Sequence, residues 1–200
     1  MSRKNRITAA LVTGALLFTA CGGESHNMSD MSTGSTNTDV TGSESDFNDD
    51  DVMFAQMMIP HHQQAVELAD LALSPTSNAR PEIIQLAQKI QGGQEPEIEQ
   101  MTALLTKWNQ PLDGHAAMGH GSEMEGMLSE QELIDLASLT GSAFDSAWIA
   151  AMTFHHQGAI AMAVTAEEDG ISAEIKELTA AIITAQQGEI ETMQMLSITP

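Results

Sequence analysis

Between about residues 51 and 73 the apolar positions recur at alternating spacings of four and three. They run Phe54, Met58, Ala65, Leu68 and Ala72, with His61 occupying the place between Met58 and Ala65. That period marks one buried stripe on an α-helix. The three acidic residues Asp49 to Asp51 favour its N-terminus, Ser74-Pro75 stops it, and Pro60 predicts a bend just before the histidines. The stripe returns as Trp148, Met152, His155, Ala159, Met162 and Ala166. Two other stretches, about 81–108 and 172–196, share a second stripe. One reads Ile83, Leu86, Ile90, Gln94, Glu97, Met101, Leu104; the other reads Ile175, Leu178, Ile182, Gln186, Glu189, Met193, Leu196. The pattern predicts four main helices in an all-α four-helix bundle. It is built from two tandem helical-hairpin repeats, about 51–108 and 145–196, joined by a connector over 109–144.

The duplication carries chemistry. His61-His62 and His155-His156 stand 94 residues apart, each three residues after a methionine and three before an alanine. Imidazole and thioether together form a soft-to-borderline donor set suited to copper. A bundle seam should be apolar, yet each copy places a Gln and a Glu in it, and a buried carboxylate demands a partner. Short loops would bring His61 to Glu97 and His155 to Glu189. A pseudo-twofold axis would then merge both sets into one polar layer lined by Met58, Met101, Met152 and Met193. A helix turns 100° per residue, so His62 and His156 are expected at the edge of the seam. Two readings of the layer stay open. In one, His, Glu and Gln satisfy one another and the methionines fill gaps. In the other, His and Met hold copper while Gln94, Glu97, Gln186 and Glu189 orient the rings or act as alternative ligands.

Outside the bundle, Arg3, Lys4 and Arg6 precede an apolar run from Ala9 to Ala20 that is too short to span a bilayer. Residues 1–20 therefore read as an export signal. Cys21, the only cysteine, follows Leu17-Phe18-Thr19-Ala20, similar to a bacterial lipoprotein processing site, and lipidation would account for a lone thiol in an exported chain. Plain secretion after Ala20 is the alternative. Residues 21–50 read as an acylated anchor and a polar tether, and 51–200 as the bundle. The chain holds 28 acidic and 7 basic residues; that charge repels nucleic acid and anionic headgroups and leaves the lipid anchor as its contact with the membrane.

The connector adds His115, Met118, His120, Met124 and Met127 among glycines. These would collect a soft ion or hand it to the core, or else belong to a solvated linker. Glu-x-x-His, which di-iron bundles require, occurs in neither copy, and no nucleophile is set for catalysis. No catalytic residue is assigned. A metal-dependent oxidase and a metal-free interaction bundle with pH-sensitive partner binding remain as alternatives.

Met58-Ile-Pro-His-His-Gln-Gln-Ala65, Gln94-x-x-Glu97-Ile98-x-x-Met101, Gly126-Met127 and Gly141-x-x-Phe144-Asp145, leading into Met152-x-x-His-His-Gln-Gly-Ala159-Ile-Ala-Met162, together resemble one bacterial family. It is designated domain of unknown function number 305, and the resemblance covers essentially Asp51 to Leu196. It implies a ferritin-like four-helix bundle and, from exported members tied to copper binding and resistance, Cu(I) held by His and Met. Carried onto this chain, the ligand set is Met58, His61, His62, Met101, Met152, His155, His156, Met162 and Met193. Leu68 stands where the family commonly has Met, and Gly92-Gly93 and Pro96, with Gly188 as counterpart of Pro96, interrupt a helix the family keeps regular. The expected partners are the metal ion, a copper-handling protein and further copies of the chain.

Overall fold

The computed structural model describes residues 46–113 and 124–198. Cys21, His115, Met118 and His120, with the export signal and most of the tether, lie outside the described residues. Among the described residues five helices follow in order: α1 (Asp49–Leu73), α2 (Pro81–Lys107), α3 (Glu130–Ala137), α4 (Ser142–Asp169) and α5 (Ala173–Ser197). No strand occurs among the described residues. α1 packs on α2, α4 on α5, α1 along α4 at the centre, and α3 against α4. The result is a ferritin-like four-helix bundle with one extra short helix on its flank.

Antiparallel packing of α1 on α4 divides the core into two. At one end Phe54, Met58 and Ile59 meet Met101, Leu104, Trp108, Ala159, Ala163, Ile175 and Ile182. At the other, Leu68 and Ala72 meet Ile83, Leu86, Phe144, Trp148, Met152 and Met193. Burying each such side chain contributes about 1.5–3 kcal/mol. Between the two clusters lies the polar layer.

Both prolines sit inside unbroken helices, Pro60 in α1 and Pro96 in α2. The interruption expected at Gly92-Gly93 and Pro96 therefore does not occur. Pro96 and Gly92, four residues before it, are both exposed, so water can take the carbonyl that the missing N–H leaves free. A Cβ at Gly92, Gly93 or Gly188 would meet nothing within 4 Å, so packing does not require these glycines.

The periodicity did not reveal α3, although Ser129 and Glu132 form a reciprocal capping box at its start. A second such box, Asn48 with Asp51, begins α1, and Phe47 stacks on Trp108 at 4.6 Å. Asp51 and Asp145, again 94 residues apart, each tie the opposite hairpin to their own. Asp51 is fully buried and accepts main-chain N–H bonds from Asn48, Ile171 and Ser172 at 2.8–3.2 Å. Asp145 accepts from the main chain of Arg80 at 3.3 Å and lies 3.9 Å from its guanidinium.

Candidate metal centre

All four paired histidines are fully buried, at 0 % exposure. This corrects the expectation that His62 and His156 lie at the edge of the seam. It corrects the partnering as well. His61 and His155 turn toward each other across the α1–α4 contact, their rings 3.8 Å apart between centroids. His62 and His156, 100° further round their helices, turn toward α2 and α5. There Nε2–H of His62 donates to Glu97 at 2.8 Å, and Nε2–H of His156 donates to Glu189 at 2.9 Å. Lys89 approaches the other Glu189 oxygen at 3.4 Å. Gln94 and Gln186 are buried one turn before these glutamates.

The end of the connector completes the layer on one side. Gln64 clamps Leu128, donating from Nε2 to its carbonyl at 2.8 Å and accepting its N–H at 2.7 Å. Gly126, at φ +86°, crosses Gly158 so closely that a Cβ on Gly158 would stand 2.0 Å from the Glu125 carbonyl oxygen. That approach lets Nε2–H of His61 donate to the Glu125 carbonyl at 3.2 Å. His155, its counterpart, receives no strap carbonyl; its ring meets the main chain of His61 at poorer geometry. Gln64 and Gly158 are equivalent positions of the two copies, and their divergence makes the two faces of the layer different. Met124 is buried and Met127 half-buried within this strap.

Protonation follows from burial. His61 is pushed down to about 3, first by desolvation and then by neighbouring His62, with the Glu125 carbonyl opposing. Desolvation also drives His155 well below the ordinary imidazole value, reinforced by His61, His156 and His62. Both central rings are neutral imidazoles, the form that binds metals.

Nδ1 of His61, His62, His155 and His156 makes no well-formed hydrogen bond, nor do Nε2 of His155, Oε1 and Nε2 of Gln94, and Oε1 of Gln186. A buried polar atom left without a partner costs about 1–3 kcal/mol. Eight in one layer call for partners beyond these side chains, a metal ion or water. In His61, His62 and His156 the Nε2–H bond fixes the tautomer and leaves a bare Nδ1 lone pair, as a carboxylate or carbonyl does for metal-binding histidines. Thioethers flank the layer, Met58 and Met101 in one core cluster and Met152 and Met193 in the other. Among the described residues no three His, Cys, Asp or Glu side chains form a cage by themselves. Neutral imidazole with thioether is a donor set that fits Cu(I).

Met162 does not join this group. It lies seven residues beyond His155, roughly 10 Å along the helix, and lines a surface groove instead.

The geometry has relatives. The family described as Domain of unknown function (DUF305) matches residues 51–197. A crystal structure of a DUF305 fragment from Deinococcus radiodurans is 33% identical at a TM-score of 0.67, covering 75% of this chain and 96% of that one. The protein CopM in its Cu(II)-bound form is 32% identical at a TM-score of 0.63, covering 74% and 95%. CopM in its Cu(I)-bound form is 31% identical at 0.60, covering 73% and 94%. No curated protein matches the chain. By the extent of the match and the shared bundle, the chain belongs to the DUF305 family.

Proposed function

We propose that this bundle binds copper, as Cu(I), outside the cytoplasm, for sequestration, resistance or transfer. One observation carries the reading: the mid-bundle layer holds four Nδ1 atoms without partners, three of them on rings whose Nε2–H is fixed by Glu97, Glu189 or the Glu125 carbonyl. The ligands proposed are His61, His62, His155 and His156, with Met58, Met101, Met152 and Met193 as sulfur donors above and below. Glu97 and Glu189 orient rings, and Gln94 and Gln186 line the layer. CopM, solved with Cu(I), Cu(II) and silver, supports the choice of metal. Export follows from residues 1–20, and acylation of Cys21 would hold the bundle at the membrane. Among the described residues no helix is long and apolar enough to cross a membrane. His115, Met118, His120, Met124 and Met127 would gather the ion; of these, Met124 and Met127 lie just before Leu128, which Gln64 clamps. A copper-handling protein would supply or receive it, and self-association is compatible with this role.

The test is an anaerobic Cu(I) titration of the chain from Gly22 onward against a competing chelator, with Zn(II) and Fe(II) in parallel. Tight uptake of Cu(I) over the other two, lost when all four histidines are replaced by alanine, is the expected result. Full retention of affinity in that variant would move the site to the connector.

A further inference from the structure

The methionines of the first copy exceed those the duplication explains. Met53 and Met57 fall four residues apart on one face of α1, and their counterparts 94 residues on are Ala147 and Ala151. In the second copy that face carries alanine: half-buried Ala147 and Ala151 line an open groove with Leu128, Leu136 and Leu139, from α3 and the segments on either side of it. Among the described residues no helix equivalent to α3 flanks this face in the first copy. Met53, Met57 and Met162 line a groove of about 220 Å³ together with Phe54, and Asp50 stands at its rim. Met53 is 39% exposed, and Met57 and Met162 are half-buried.

Gap-filling does not account for methionine at open positions, because a gap-filler is chosen where packing is tight and irregular. Here the copy flanked by α3 has alanine, and the copy whose described residues show no such helix has sulfur. Met162 adds to the contrast: Leu68 replaces it in the first copy's own stripe and sits fully buried in the core. The thioethers thus gather from two helices on one solvent-facing groove.

We propose that Met53, Met57 and Met162 form a second, surface site for a soft monovalent cation, Cu(I) or Ag(I), with the Asp50 carboxylate balancing its charge. Three neutral thioethers select a soft ion and discriminate against Zn(II), Ca(II) and protons, since thioethers carry no proton to displace. The site is separate from the histidine layer and stands whether or not that layer holds copper. It makes the groove an entry or exchange point on the outside of the bundle.

The experiment is titration of the full-length chain, labelled with ¹³C at the methionine methyl groups, with silver nitrate in chloride-free buffer at pH 5 and pH 7. Signals are assigned by single Met→Leu substitutions. Methyl shifts at Met53, Met57 and Met162 that move together at both pH values are expected. M53L/M57L/M162L should lose those shifts and one equivalent of bound silver while keeping its helical content and the shifts of Met58, Met101, Met152 and Met193. Shifts confined to those four core methionines, or undiminished stoichiometry in the triple variant, would overturn the proposal. Absence of any methionine shift would overturn both it and the core reading. Shifts at the groove alone would sustain the surface site and sink the core one. The exposed single variant M53L, whose fold is not at risk, should by itself weaken silver binding at the groove at least tenfold.

Discussion

The rings of His61 and His155 lie 3.8 Å apart at the centre of the bundle, and the two residues have become unequal there. His61 is held by the Glu125 carbonyl; His155 has no such anchor and is met only by the main chain of His61, at poorer geometry. The duplication made equivalent positions, and the single connector, which can cross only one face, broke the equivalence. His155 is accordingly the ring with most freedom to turn toward an arriving ion. In the DUF305 frame this gives the layer a fixed half and an adjustable half.

Replacing the adjustable ring should therefore cost binding more than stability. His155→Leu removes two nitrogens that lack well-formed hydrogen bonds from a layer enclosed by two apolar clusters, so the metal-free protein should gain about 1–3 kcal/mol. Urea unfolding reads that gain, and chelator competition should show Cu(I) affinity lowered at least tenfold. A variant less stable than the parent would mean that the layer is satisfied internally.

Glu97 and Glu189 act through the rings they hold. Leucine at either position frees the neighbouring imidazole to flip and swap tautomers, which for such partners typically lowers metal affinity about 10–100-fold. Helical content should be preserved. Affinity unchanged in both E97L and E189L would show that His62 and His156 are not ligands.

Acid should destabilise the metal-free bundle. In the unfolded chain His61 and His155 titrate near 6.5, whereas in the folded chain His61 titrates near 3 and His155 well below 6.5. The unfolded state then binds more protons as pH falls, so the stability these rings contribute is complete above about 6.5 and declines as pH drops toward 3. Each ring adds a slope of up to about 1.4 kcal/mol per pH unit within that window. Urea midpoints at pH 7.5, 6.0 and 4.5 should fall in order, and the fall should be shallower in H61L/H155L. Bound copper should raise the midpoint at each pH, because the ion stabilises the folded state alone.

Much of this was legible from spacing. Stripes of four and three located every long helix, and their repetition, at 94 residues between α1 and α4 and at 92 between α2 and α5, placed the histidines, glutamates and core methionines in one layer. What a stripe does not encode is which neighbour it faces. A residue in the seam of α1 touches both α2 and α4, and a step of 100° decides between them; hence Glu97 met His62 and not His61. Asp51 and Asp145 stood in the sequence as a repeated acid three residues before each aromatic. Their role emerged only with the hairpin connections, since their partners are main-chain groups that carry no sequence signal. Met53 and Met57 escaped notice because they are not duplicated.

Asp51 is expected to matter most to stability among the buried acids outside the layer. Its carboxylate accepts three main-chain donors from both hairpins, whereas Asp145 holds only Arg80. Hydrogen bonds to a charged group contribute about 1.5–3 kcal/mol net, and losing them strands buried N–H groups. Asp51→Ala should cost on the order of 3 kcal/mol or more, and Asp145→Ala about half as much, by thermal or urea unfolding. Equal losses would mean that the pairing across hairpins is not what holds the two repeats together.

Gly158→Ala tests whether the connector governs the layer. Its added Cβ would stand 2.0 Å from the Glu125 carbonyl oxygen, and the contact is main chain to main chain, so no side chain can swing away. Either the strap lifts off α4 or α4 shifts; overpacking of this kind costs about 1–3 kcal/mol. A lifted strap takes the Glu125 carbonyl from His61, frees its Nε2–H and exposes the layer to solvent. Cu(I) exchange to a chelator should then accelerate several-fold while helical content stays intact, measured by stopped-flow transfer. Gln64→Ala, which removes the clamp on Leu128 without creating a clash, should produce the same acceleration at smaller cost in stability. If both variants exchange copper at the parent rate, the ion reaches the layer from elsewhere, and the connector is a link between repeats and nothing more.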